Sequence, residues 1–169
     1  VEVRRNNWAL FTAVNHAVCE RAGWITLHQF PEEYSSWNSL GRPQMEDPRD
    51  PSRLVPIVST VEVEALTLDA FCRGRNIERI DYLQLDVEGA ELRALQGARE
   101  LLENKAIRHL QFEISQKMLE GLNTRARHVF DFLSDRGYEC HAITPDGAVG
   151  EKTADSTAFT TLMLPAGRC

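Results

Sequence analysis

The sequence contains no apolar run approaching the roughly 18 to 20 residues that a bilayer-spanning helix requires, and no basic-then-apolar opening of the kind that marks a signal peptide. A soluble, cytoplasmic protein without a membrane partner is therefore expected. Lysine- and arginine-rich runs are also lacking, and the formal net charge is −6, which argues against a nucleic-acid surface built from bulk charge. Cysteine is sparse: Cys19, Cys72, Cys140 and Cys169 lie far apart and form no Cys-x-x-Cys pair, so neither a zinc site nor a redox motif is expected. The histidines at 16, 28, 109, 128 and 141 have no metal-ligand spacing, and no metal site is expected from them. None of the ten glycines builds G-x-G-x-x-G, so the nucleotide-binding fingerprint is absent. Internal repeats and low-complexity tracts are absent as well.

What remains is the composition of a globular protein, with 43% apolar and 26% charged residues in a length that suits a single domain over 1–169. Ala9 to Val18 reads as a buried strand closing on Asn15-His16, and Trp24 to Phe30 as a second strand joined to it by a tight connection, plausibly a hairpin. Residues 31–56 are polar and carry five prolines, and are expected to be a long functional loop. Val58 to Val63 is a β-branched strand, and Thr67 can cap a short helix that follows it. Ile107 to Ile114 and Tyr138 to Thr144 are further strands. Between them lies a helix through Ala126, Val129, Phe130 and Leu133, capped by Asn123 or Thr124 and stopped by Gly137. Asp146-Gly147 marks a turn, and Ala158 to Leu164 a last strand able to pair antiparallel with its predecessor.

The most telling segment is Ile80-Asp81-Tyr82-Leu83-Gln84-Leu85-Asp86-Val87-Glu88-Gly89-Ala90-Glu91. An apolar strand ends in three carboxylates around a glycine and runs into a single amphipathic helix through Leu92, Leu95, Ala98 and Leu102. Carboxylates at the exit of a sheet strand face the crevice where ligands bind in open α/β sheets. The plainer role of Glu88 and Glu91 is to complement the positive end of the helix dipole.

Together with Thr67-Leu68-Asp69, Ile77, Leu95-Gln96-Gly97-Ala98 and Phe112-Glu113, this segment resembles the signature of FkbM-type S-adenosylmethionine-dependent methyltransferases. The likeness runs in detail from Asn15 to Glu113. It is looser at Asn15-His16-Ala17-Val18, in the strand from Gly23 to Phe30, and in the loop from Ser36 to Leu40. It implies an α/β fold, a Rossmann-like class I methyltransferase sheet with an antiparallel edge strand, and S-adenosylmethionine as cofactor. The reaction it implies is methylation of a hydroxyl on a sugar, a polyketide or another secondary metabolite. The family's opening acidic, glycine-rich motif has no counterpart here. The chain, which begins with Val1, is thus expected to be the C-terminal two-thirds of such a domain, prone to self-association through an exposed sheet edge.

On this resemblance Asp86 and Glu88 are the candidate catalytic pair, as hydrogen-bond acceptor, base or acceptor-orienting groups. Glu113 and the loop residues Ser36, Trp37 and Asn38 would meet the methyl acceptor, and Asn15, His16 and Ala17 would flank the adenine. Two other readings stand beside this one. One is a non-catalytic binding or assembly module lacking the cofactor half. The other is an enzyme whose Asp86 and Glu88 hold a divalent cation beside a phosphate, which would call for more phosphate-binding glycines or lysines than the chain has.

Overall fold

The computed structural model describes residues 12–144, 146–152 and 160–165. Along the chain run β1 (Ala17–Val18), β2 (Gly23–Gln29), a 3-10 helix (Glu32–Trp37), β3 (Glu46–Asp47), β4 (Asp50–Leu54), β5 (Ser59–Leu66), α1 (Leu68–Gly74) and β6 (Leu83–Leu85). There follow α2 (Glu91–Gln96), α3 (Arg99–Glu103), β7 (Leu110–Glu113), α4 (Gln116–Glu120), α5 (Ala126–Ser134), β8 (Tyr138–Ile143), β9 (Val149–Lys152) and β10 (Thr160–Pro165). These elements form a mixed α/β arrangement with a five-stranded sheet ordered β6-β7-β10-β8-β9, a three-stranded sheet ordered β1-β5-β2, and the β3-β4 hairpin.

In the five-stranded sheet β6 and β7 are parallel, with Leu83 opposite Leu110 and Leu85 opposite Phe112. β10 runs antiparallel to both β7 and β8. An antiparallel strand, β9, does stand at the edge, and the last strand, β10, lies inside the sheet between β7 and β8. Its backbone groups pair on both sides there, which an edge position would not provide. The β8–β9 hairpin was not expected; it turns through Gly147, whose φ of +82° suits glycine. Beneath the sheet, Leu85, Leu95, Leu102, Ile107, Leu110, Phe112 and Leu133 form one buried core with helices α2, α3 and α5.

The amphipathic run after the acidic segment is two helices, not one. The break falls at Gly97-Ala98, where a Cβ on Gly97 would lie 2.1 Å from the carbonyl oxygen of Cys19, so the glycine admits a backbone that passes against it. Asp69 then begins the second helix: its carboxylate accepts the backbone N–H groups of Glu100 (2.9 Å) and Leu101 (3.1 Å). Its own N–H donates to the Gly97 carbonyl. Thr67 caps α1 as expected, accepting the Ala70 N–H at 3.1 Å. The Thr67-Leu68-Asp69 triplet thus starts two helices at once.

Four other expectations are corrected. β1 and β2 do not form a hairpin; each pairs with β5 between them, β1 parallel and β2 antiparallel, and the Cys19 N–H continues the β1–β5 pairing to Leu66. The early strand is only Ala17–Val18, and its expected beginning at Ala9, Leu10 and Phe11 lies outside the described residues. Residues 31–56 are not a bare loop. Tyr34 stacks on Trp37 with ring centroids 4.7 Å apart, Phe30 meets Trp37 edge-on, and the Tyr34 hydroxyl reaches Asp47, so the 3-10 helix and the β3–β4 hairpin brace each other. Finally, α5 begins at Ala126 instead of following Asn123 or Thr124, because the His128 ring nitrogen takes the Arg125 N–H. Among the described residues no helix is long and apolar enough to cross a membrane.

Replacing Asp69 with alanine removes two N-terminal acceptors from α3. A loss of about 1–2 kcal/mol in unfolding free energy is expected from urea titration.

Candidate functional site

Two parallel strands deliver their carboxyl ends to one side of a sheet. Because Leu85 pairs with Phe112, the residues that follow, Asp86 and Glu113, emerge together, and with Gln84 and Gln111 they line a small cleft of about 60 Å³. Both carboxylates are exposed. The chain then turns through Glu88 and Gly89, with φ of +48° and +93°, into α2. Gly89 is required twice over: by its dihedral, and because a Cβ there would stand 2.4 Å from the carbonyl oxygen of Met118 in α4. Glu88 has no such licence, and a left-handed non-glycine residue costs about 1–2 kcal/mol.

Three contacts hold this turn. The Ser39 hydroxyl donates to the Glu88 carbonyl at 2.6 Å, the Gly89 N–H donates to the Glu91 carboxylate at 3.2 Å, and the Ala90 N–H bonds back to Val87. Glu88 is half-buried, and its carboxyl is raised to about 7, first by burial and then by the negative charges of Asp86, Glu113 and Glu91. Glu91 is 3% exposed. Burial raises its pKa too, against backbone N–H groups that lower it, and its second oxygen has no hydrogen-bond partner.

The loop residues named from the sequence lie on the 3-10 helix and just after it. Ser36 is exposed, Trp37 is held in its aromatic stack, and the Asn38 side chain accepts the Phe30 N–H at 2.8 Å. Ser39 is the residue of this segment that touches the acidic turn. It is 1% exposed, pairs through both backbone groups with His28, and also accepts the Gly41 N–H on its hydroxyl. His28, on β2, was not singled out either: it is 8% exposed, its Nε2 accepts the Arg42 Nε–H at 2.9 Å, and its Nδ1 is buried without a partner. Sequence reading could not find these roles because each partner is distant along the chain; the serine cluster at 35–39 was the one pointer towards them.

Asn15, His16 and Ala17 are elsewhere. They line an open concavity of about 510 Å³ together with Val14, Trp24, Leu27 and residues 61–64, and His16 approaches Glu64 at 3.3 Å. That concavity and the cleft at Asp86 share no lining residue. Among the described residues no group of three or more His, Cys, Asp or Glu is arranged to hold a metal ion.

The raised Glu88 carboxyl has a measurable consequence. The folded protein favours protonated Glu88, so its contribution to stability is complete below the ordinary glutamate value near 4.5 and is lost as pH rises through about 7. Glu88→Gln is expected to remove this slope and to raise stability at pH 8 by about 1 kcal/mol, a figure reduced for solvent screening of a half-exposed group. Urea titrations at pH 5 and pH 8 measure both.

The family model of the methyltransferase FkbM domain matches residues 4–140. None of the curated proteins and none of the solved structures matches the chain. A match over most of the length, on a chain whose acidic turn stands at the ends of two parallel strands, establishes its kinship: the chain belongs to the methyltransferase FkbM domain family.

Proposed function

We propose that this domain is an S-adenosylmethionine-dependent methyltransferase that acts on a hydroxyl oxygen of a sugar, a polyketide or another secondary metabolite. We read its larger sheet as part of a Rossmann-like class I sheet. Support for the fold reading comes from strand direction: β6, β7 and β8 run one way, with β10 reversed between β7 and β8 and β9 reversed at the edge beside β8. The observation that carries the functional reading is the half-buried Glu88, its carboxyl near 7, beside the exposed Asp86 and Glu113 at the carboxyl ends of parallel strands.

Two features of the chain suit separate parts of the cofactor. Asp86, Glu88 and Glu113 supply the negative potential that suits a sulfonium. The concavity of Asn15, His16 and Ala17, walled by the exposed Trp24 indole and by Leu27, offers an apolar face for an adenine ring. When bound, S-adenosylmethionine would supply a methyl group already activated by its positive sulfur, so little covalent help is needed from the protein. The protein's tasks are alignment of the acceptor oxygen and removal of its proton. Glu88, with a carboxyl close to neutral pH, is matched to receiving that proton, and Asp86 at the cleft mouth to accepting the hydrogen bond that orients the hydroxyl. Glu113 flanks it, and Ser36, Trp37 and Asn38 present the surface that selects the acceptor.

A second reading, a non-catalytic binding or assembly module, is favoured by one observation: the sequence has no G-x-G-x-x-G turn. In that case the edge strand β6 is the surface for self-association.

The two readings separate in one experiment. Formation of S-adenosylhomocysteine is followed over a panel of hydroxyl acceptors, with cofactor affinity measured by calorimetry. In the complete protein Asp86→Asn is expected to lower turnover far more than cofactor affinity. Unchanged turnover removes Asp86 from the chemistry, and cofactor binding without transfer to any acceptor supports the module.

A further inference from the structure

The acidic turn contains a backbone conformation that its own sequence does not favour. Glu88 carries a Cβ and yet sits at φ +48°, directly before a glycine whose φ is +93°. Such a residue keeps a left-handed backbone only where its surroundings over-determine it. Met118 fixes the glycine by close approach, but that contact acts on residue 89 and not on the carboxylate-bearing residue before it. The group that grips Glu88 itself is Ser39, through the 2.6 Å hydrogen bond from its hydroxyl to the Glu88 carbonyl.

Ser39 is built to hold. Its hydroxyl donates to Glu88 and accepts from the Gly41 N–H at 3.0 Å, so both of its hydrogen-bonding functions are in use. Its backbone is locked to β2 by reciprocal bonds with His28 at 2.8 and 3.1 Å. The side chain is almost wholly out of water, so no solvent molecule competes for the Glu88 carbonyl from that position. The next residues are equally fixed, since the Arg42 N–H bonds the Gly121 carbonyl and Gly41 packs against Gly121. A rigid donor bridged to β2 thus meets a strained carbonyl in the turn that follows β6.

We propose that Ser39 is a positioning residue: its hydroxyl holds Glu88 in the left-handed conformation and thereby keeps the Glu88 carboxylate beside Asp86 and Glu113. It touches no reacting atom and acts through Glu88. This role rests on the reading of the acidic turn as the reacting end of the domain. Without the hydroxyl, the turn relaxes towards ordinary backbone angles and the carboxylate moves away from its negative neighbours and into water.

The test uses the full chain with carbon-13-labelled glutamate and follows the Glu88 carboxyl by NMR against pH, with the Gly89 amide nitrogen as reporter of the hydrogen bond to the carbonyl before it. Wild-type Glu88 is expected to titrate near 7, raised first by burial and then by Asp86, Glu113 and Glu91. Ser39→Ala is expected to lower that titration by about one pH unit or more and to shift the Gly89 nitrogen resonance. Ser39→Thr, which restores the hydroxyl, is expected to bring both back towards wild type. A folded Ser39→Ala chain in which neither signal moves overturns the proposal. Should the alanine variant fail to fold, Ser39→Cys keeps the size with a weaker donor and is expected to move both signals in the same direction by less; immobility there overturns it equally. No transfer assay enters these readouts. Lack of methyl transfer would strike the proposed reaction and leave the positioning role standing, and an unmoved titration would do the reverse.

Discussion

Backbone pressed against backbone is the constraint on which the rest depends. Gly89 admits the Met118 carbonyl, Gly41 lies on Gly121, and Gly121 in turn meets Pro43, each at a distance that leaves no room for a side chain. These contacts interlock the turn after β6, the segment after the 3-10 helix and the end of α4. Side chains in a core can repack around a lost methyl group, whereas a backbone contact of this kind has nothing to shorten. The direction in which Asp86 and Glu88 leave the sheet is therefore fixed by pieces of chain distant in sequence.

The electrostatics follow from that interlock. Asp86 and Glu113 come together because β6 and β7 are parallel and in register, and Glu88 is drawn under them by the left-handed turn. Concentrating carboxylates at one sheet end is unfavourable in itself. It is tolerated because two of them, Asp86 and Glu113, stay in contact with water and the more buried ones bind protons more readily. A carboxyl raised towards neutrality is thus a by-product of the packing that closes the turn.

Residues 31–56 show how a polar, proline-rich segment is held to the rest of the fold. Their polarity and prolines give no core of their own, yet the Tyr34–Trp37 stack, the bond from the Tyr34 hydroxyl to Asp47 and the Lys117–Glu46 ion pair tie them to themselves and to α4. The exposed ion pair adds little energy. The aromatic stack and the Ser39 and Asn38 hydrogen bonds do most of the holding, so this segment is braced against the acidic turn.

By itself the sequence determined the local features: the acidic strand exit, the Thr67 cap, strands read at 58–63 and 138–144 and found at 59–66 and 138–143, the turn at Asp146-Gly147, and the family signature. Each depends on residues near one another in the chain, where periodicity and side-chain chemistry are readable. Tertiary structure alone decided that β10 enters between β7 and β8, that β5 separates β1 from β2, that Gly97 splits a helix whose apolar spacing is continuous, and that Ser39 and not Ser36 reaches Glu88. Strand order and long-range hydrogen bonds leave no period in a sequence. They are set by which backbone groups must be satisfied and which surfaces can touch, and those conditions exist only once the chain has closed on itself.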